Sequence, residues 1–175
     1  MRASALVLCA FLWGGLLAAP AAAGEVVSAT ASEAMKADKV IVVKSERRMI
    51  LFRERRVLRA YRVALGFTPA EHKVRAGDGR TPEGRYVLDW RNSKSRFYRA
   101  LHISYPNAED RQRARARNVD PGGDIMIHGL PLDLELIDRD HAKSDWTDGC
   151  VAVTNREMDE IWELVDDGTP IEIRP

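Results

Sequence analysis

Cysteine is scarce: the 175 residues hold two, Cys9 and Cys150. Two cysteines cannot build a disulfide-dense scaffold, so the fold has to rest on a packed core. Charge of one sign is equally lacking in excess, with 27 Lys and Arg against 26 Asp and Glu. That balance excludes a polybasic nucleic-acid binder and an acidic disordered tail, and no nucleic-acid partner is expected. Internal repeats and low-complexity tracts are missing beyond residue 24. What remains is a chain of single-domain length in which 45% of residues are apolar, enough for a real core.

The long uncharged stretch lies at the start, from Ala5 to Ala19. Arg2 precedes it, and Ala21-Ala22-Ala23 follows immediately before Gly24. A positive start, an apolar run and an A-x-A site make residues 1–23 a secretory signal peptide by expectation, and the run is short for a span of roughly 20 residues. The protein is therefore expected to be exported, to periplasm or cell envelope, and to meet a membrane only through an uncleaved signal segment. Cleavage removes Cys9 and leaves Cys150 without an intramolecular partner. A lone thiol in an oxidising compartment is either buried and inert or kept for its reactivity.

Residues 24–37 read as a short linker and 38–175 as one domain. Strands are expected at Val40–Val43, Met49–Phe52 and Val57–Leu65, the last with Val57, Tyr61, Val63 and Leu65 inward, and the three form an antiparallel meander. Residues 66–84 carry four glycines and two prolines and read as one long functional loop. Arg85–Trp90, Leu101–Tyr105, Ile125–Ile127 and Ile171–Ile173 read as further strands. Asn107 caps a charged helix running to Arg117, and Asn155–Val165 is an amphipathic helix ended by Asp166-Asp167-Gly168. The fold class is mainly β, a β-rich α+β domain with a few peripheral helices.

The chemistry concentrates in two places, Ile127-His128-Gly129 and Thr147-Asp148-Gly149-Cys150-Val151-Ala152-Val153. A cysteine nucleophile needs a base or a lowered pKa, and His128 supplies either if the fold brings it near. Gly129 and Gly149 allow close backbone approach, and amides near Gly149 and Cys150 could meet a developing oxyanion. The competing reading is a small buried thiol and a core-edge histidine. Export, the single remaining cysteine and the flanking glycines favour the nucleophile.

The pattern His128-Gly129, a spacer, then Thr147-x-Gly149-Cys150 resembles the signature of the L,D-transpeptidase (YkuD) catalytic domain, and Thr81-Pro82-Glu83-Gly84-Arg85-Tyr86 resembles a second stretch of that family. The likeness spans about Lys39 to Arg174, making 38–175 an L,D-transpeptidase-like domain. It implies a β-sandwich of mixed sheets, Cys150 as nucleophile, His128 as general base and later acid, and the Gly129 carbonyl fixing the imidazole tautomer. It implies peptidoglycan stem peptides as substrate: a thioester forms at Cys150, D-Ala leaves, and an amine acceptor, in some members a protein amine, resolves it into a 3-3 crosslink. No metal or organic cofactor is implied. Ala152 and Asp148 stand where many members have Arg and His. Hydrolysis on the same scaffold, by an L,D-carboxypeptidase or an amidase cutting a protein–murein link, and a non-catalytic murein-binding module stay open as alternatives.

Around the motif, Thr147, Asp148, Trp146 and His141 are candidates to line the substrate cleft under a lid formed by residues 130–144. His141, Asp145 and Asp148 lack the spacing of metal ligands, so no metal is expected. Arg75, Arg80 and Arg85 could meet substrate carboxylates but read more simply as a solvated charged loop, as do Arg111 to Arg117. Trp90 and Trp162 read as core, His102 as structural and His72 as solvent-facing.

Overall fold

The computed structural model describes residues 35–131 and 140–175. The expected signal peptide, most of the expected linker and most of the expected lid lie outside the described residues. Eight strands and two helices follow one another as β1 (Lys39–Val43), β2 (Arg48–Arg53), β3 (Arg56–Arg62), β4 (Gly84–Ser95), β5 (Tyr98–Ile103), α1 (Ala108–Ala116), β6 (Met126–His128), β7 (Val151–Ala152), α2 (Asn155–Leu164) and β8 (Thr169–Arg174). The fold is strand-dominated, as the sequence predicts.

The strands form one mixed sheet in the order β3-β2-β1-β8-β4-β5-β6-β7. β1 to β3 make the expected antiparallel meander. The last strand in sequence, β8, is central: it runs parallel to β1 and antiparallel to β4. β6 and β7 are parallel, with Ile127 opposite Val151 and His128 opposite Ala152. The sheet curls until its ends meet. Just beyond β3, Ala64 and Ala152 exchange backbone hydrogen bonds of 3.0 and 2.8 Å. Gly66 then pairs with Thr147, and both flanking bonds, Phe67 N–H to Thr147 O and Thr147 N–H to Leu65 O, are made. Closure satisfies backbone groups that an open edge would leave unpaired. Inside the curl lies a core built from alternate strand residues, among them Val40, Val42, Met49, Leu51, Leu88, Leu101, Ile103, Ile127, Ile171 and Ile173.

Both helices begin with a capping box. Asn107 Oδ1 accepts from Glu109 and Asp110 while the Asp110 carboxylate accepts from Asn107 N–H, and Thr154 is paired the same way with Glu157. α2 buries Met158 and Ile161 against the core. Arg91 closes its far end, donating to the carbonyls of Trp162 and Val165, where the helix dipole favours a cation.

Three expectations need correction. Val57 is not inward but 59% exposed, because a β-bulge between Leu51 and Phe52 shifts the pairing and turns Leu58 to the core instead. Trp90 is not core: it lies on the outer face of the sheet, 41% exposed and stacked on His102 at 4.8 Å. His72 does not face solvent freely. Its Nδ1 accepts from Glu83 N–H at 3.0 Å, so its Nε2 carries the proton toward Asp110, 3.1 Å away.

Candidate active site

β6 and β7 lie side by side at the end of the curled sheet, so His128 closes one strand and Cys150 immediately precedes the next. The parallel register sets Cys150 beside Met126, whose N–H donates to the sulfur at 3.4 Å. Two residues on, with the side-chain period of a strand, comes His128. The two side chains open into one cleft of about 660 Å³. Asn92, Lys94, Ser95, Arg96 and Phe97 from the β4–β5 hairpin form one wall, Gly123 to Met126 another, and Trp146 to Asp148 a third.

His128 is buried, and its Nδ1 lies 2.6 Å from the Gly129 carbonyl oxygen. A carbonyl only accepts, so Nδ1 carries the hydrogen and Nε2 keeps a lone pair. Phe97 packs on the imidazole at 4.5 Å between ring centroids, and Trp146 meets it edge-on at 5.8 Å. Burial is the main reason that the imidazole is pushed down to about 4; the Gly129 carbonyl opposes the shift and Arg96 adds to it. Cys150 is half-buried. Burial pushes its thiol up to about 11, Asp148 and Asp124 push the same way, and the Met126 amide and Lys73 resist. Its sulfur lies 3.6 Å from the Asp124 carbonyl oxygen. At neutral pH the cleft thus holds a neutral thiol and a neutral imidazole whose Nε2 keeps a lone pair, a pair suited to moving a proton as a bond forms rather than to holding a ready ion pair.

The Cys150 turn rests on backbone packing. Gly149 has φ +127°, and a Cβ there would lie 2.6 Å from the Arg80 carbonyl oxygen. Thr147 ties the turn together, its hydroxyl donating to the Cys150 carbonyl at 2.8 Å and accepting from Gly149 N–H at 3.1 Å. The Gly149 amide is thus occupied within the turn, which leaves it no free hydrogen to offer an oxyanion. Gly129 sits equally tightly, since a Cβ there would lie 2.5 Å from Asn155 Oδ1.

The long loop after β3 backs this turn. Asp78 organises it, accepting from Val74 and Arg75 N–H with one oxygen and from Arg80 N–H and buried Lys73 with the other. Burial works to raise the Asp78 carboxyl, but those donors outweigh it and hold it at about 2. Thr81 Oγ1 accepts from Gly66 N–H at 3.0 Å, tying loop to strand. Arg80 is engaged by Glu71 at 2.9 Å within the same loop.

Of the residues singled out in the sequence, Cys150, His128, Thr147, Asp148 and Trp146 come together in the cleft. His141 does not. Its buried ring borders a different groove, with Tyr61, Thr154 and Glu157, while its carbonyl accepts from Trp146 Nε1 at 3.2 Å. Asp145 is likewise structural, bound by Arg47 at 2.9 Å and by Leu65 N–H at 3.0 Å. The hairpin residues Lys94, Arg96 and Phe97 are cleft residues that sequence reasoning missed. The cue was a pair of aromatic residues after a polar stretch, Ser95-Arg96-Phe97-Tyr98.

A curled mixed sheet with a histidine at the end of one strand and a cysteine just before its parallel neighbour defines a class of β-rich, cysteine-bearing domains. The model of the L,D-transpeptidase catalytic domain, YkuD, matches residues 37–173, and the chain belongs to that family. It is 29% identical to YafK of Escherichia coli (strain K12), whose name assigns L,D-transpeptidase activity provisionally; the match covers 94% of this chain and 64% of YafK. The chain thus spans less than two thirds of that relative's length. Among solved structures, Pgp2 of Campylobacter jejuni, described as a helical cell shape determining protein, is 25% identical with a TM-score of 0.60, covering 77% of this chain and 46% of Pgp2. The L,D-transpeptidase of Xylanimonas cellulosilytica shares the fold at 17% identity, with a TM-score of 0.52 over 79% of this chain and 60% of that one.

Proposed function

We propose that this chain is an exported cysteine acyltransferase of the cell wall, an L,D-transpeptidase acting on peptidoglycan stem peptides. The observation that carries the reading is the shared cleft of Cys150 and His128, with the imidazole tautomer fixed by the Gly129 carbonyl. In the proposed reaction His128 Nε2 takes the thiol proton as the Cys150 sulfur bonds to the carbonyl carbon ahead of a terminal D-Ala. The C–N bond then breaks, and the same proton passes to the leaving amine. A thioester and free D-Ala result. An amine acceptor, from a second stem or from a protein, gives its proton to His128, displaces the thiolate and forms the new amide. The amide of Cys150 itself is the proposed oxyanion donor, because that of Gly149 is engaged by Thr147. Gly149 and Gly129 act by letting backbones approach, Thr147 by holding the turn, and Trp146 by walling the imidazole.

Family membership supports the substrate class, and the likeness to Pgp2 supports a part in cell shape. Periplasm or cell envelope is the proposed location, since the substrate lies there. The test is mass spectrometry of tetrapeptide muropeptides incubated with the protein and with Cys150→Ala. D-Ala loss with 3-3 dimers in the parent alone is the expected result. D-Ala loss without dimers, with water resolving the thioester, would make the protein an L,D-carboxypeptidase. Release of a murein-linked protein with no D-Ala loss would make it an amidase. Full biological activity of Cys150→Ala would reduce it to a binding module.

A further inference from the structure

Trp90 and His102 stand on the same face of the sheet as the cleft. On β5, Ala100 and His102 are two residues apart and share a face, and so do Met126 and His128 on β6. Ala100 is paired with His128, and His102 with Met126. Because Ala100, Met126 and His128 all line the cleft, the surface at His102 continues its floor. At one end of this row the Met126 N–H meets the Cys150 sulfur at 3.4 Å. At the other end the Trp90 ring stacks on His102, with centroids 4.8 Å and planes 18° apart. Trp90, His102, Met126 and Cys150 thus cross the sheet in strand order, from β4 to the start of β7.

The stack has the chemistry of a sugar platform. Trp90 is 41% exposed, and His102 covers one side of its indole. Among the described residues no second ring and no cation meets it. Asp89 fixes the imidazole, with Oδ1 2.6 Å from His102 Nδ1. A carboxylate only accepts, so Nδ1 donates to it, and Oδ2 stays at the rim of the platform as an acceptor. The C–H groups of a pyranose suit the electron-rich face of an indole, and its hydroxyls suit a neighbouring carboxylate.

The reach agrees. Neighbouring strands lie about 4.8 Å apart, which puts Trp90 about 14 Å from Cys150 across three strand spacings. A stem peptide bound to the sulfur through its third residue has three residues between the sulfur and its sugar. Extended, they span about 10 Å, and the ether-linked acyl arm of the sugar adds about 3 Å. A stem laid across Met126 and His102 therefore brings its glycan to Trp90.

Resting on the reading of Cys150 and His128 given above, we propose that Trp90, backed by His102 and Asp89, is a subsite for the sugar that carries the donor stem, so that the protein takes its donor from glycan in preference to free peptide. Trp90 is then a substrate-binding residue outside the catalytic cleft.

The test follows D-Ala release and Cys150 acylation, with no acceptor added, from a disaccharide tetrapeptide and from the same tetrapeptide without sugar. The parent is expected to favour the disaccharide compound about tenfold in kcat/KM. Trp90→Ala is expected to bring that compound down to the rate of the free tetrapeptide, and Trp90→Phe to keep most of the preference. Equal rates on both donors in the parent would overturn the proposal, as would an undiminished preference in Trp90→Ala. An equal loss on both donors in Trp90→Ala would also overturn it, by showing that the ring only supports the sheet. A sugar preference that emerges only when an acceptor stem is added would place the glycan on the acceptor and sink the assignment to the donor. Each of these outcomes removes this inference alone. Absence of D-Ala release and of acylated Cys150 with either donor removes the functional reading, and the inference falls with it.

Discussion

Gly149 and Arg80 meet backbone to backbone: the space that a Cβ on Gly149 would need begins 2.6 Å from the Arg80 carbonyl oxygen. That contact makes the loop after β3 a rigid support for the turn that carries Cys150. Gly149→Ala has to shift a carbonyl and hold φ near +127° with a side chain present. We expect a loss of about 2 kcal/mol or more in urea unfolding, together with loss of Cys150 acylation. A variant of parental stability and activity would show that the two backbones move apart freely.

The thiol itself offers a direct reading of the proton balance. With Cys150 pushed up to about 11, its thiolate fraction at neutral pH is small. The rate of alkylation by iodoacetamide is expected to rise about tenfold per pH unit from pH 7 to beyond pH 9. A plateau reached by pH 7 would instead indicate a preformed thiolate–imidazolium pair.

His128 links stability to acid. An unfolded imidazole takes its proton near 6.5, the buried one only near 4. Between those values the unfolded chain binds more protons, so this contribution is complete above pH 6.5 and lost as pH falls toward 4. The loss reaches about 3 kcal/mol for a shift of this size. Chemical unfolding across that window should show the slope in the parent and lack it in His128→Gln. The carboxyls held at about 2, Asp78, Asp110 and Glu172, act mainly at lower pH and are common to parent and variant, so they do not blur the comparison.

Phe97 keeps water from one side of that imidazole. In Phe97→Ala the His128 titration, followed by NMR, is expected to move from about 4 toward its ordinary 6.5. Turnover should fall about tenfold through lost positioning. An unmoved titration would assign the burial to Trp146 and the neighbouring backbone instead.

The legible parts of this molecule are those where chemistry and period coincide. Val40, Ile41 and Val42 in β1 and Ile127 in β6 are β-branched and buried, and they lie in strands. Asn107 and Thr154 sit where caps belong, and the helices start there. Cys150 and His128 carry glycines because backbones crowd around them. The hairpin wall is another matter. Beyond Leu88, β4 leaves β8 behind and continues as a hairpin with β5, and Arg91 to Ser95 show no inward face and no alternation. Nor could the spacing to Cys150 reveal that His141 faces another groove, since that depends on how residues 140–145 turn against α2. Val57 misled because a bulge, invisible in composition, reverses the faces of a strand midway.

The position of β8 has a consequence for how the molecule comes into being. The last strand of the chain is the middle of the sheet, between the first strand and the fourth. A ribosome releasing the chain from its N-terminus delivers β8 after the seven strands that it joins into one sheet. Until residues 169–174 emerge, β1 and β4 have no common neighbour, the curl cannot close at Ala64 and Ala152, and the walls around Cys150 are not assembled. A nascent chain therefore carries its thiol as an ordinary side chain until β8 arrives, and the arrival of that strand is what completes the site.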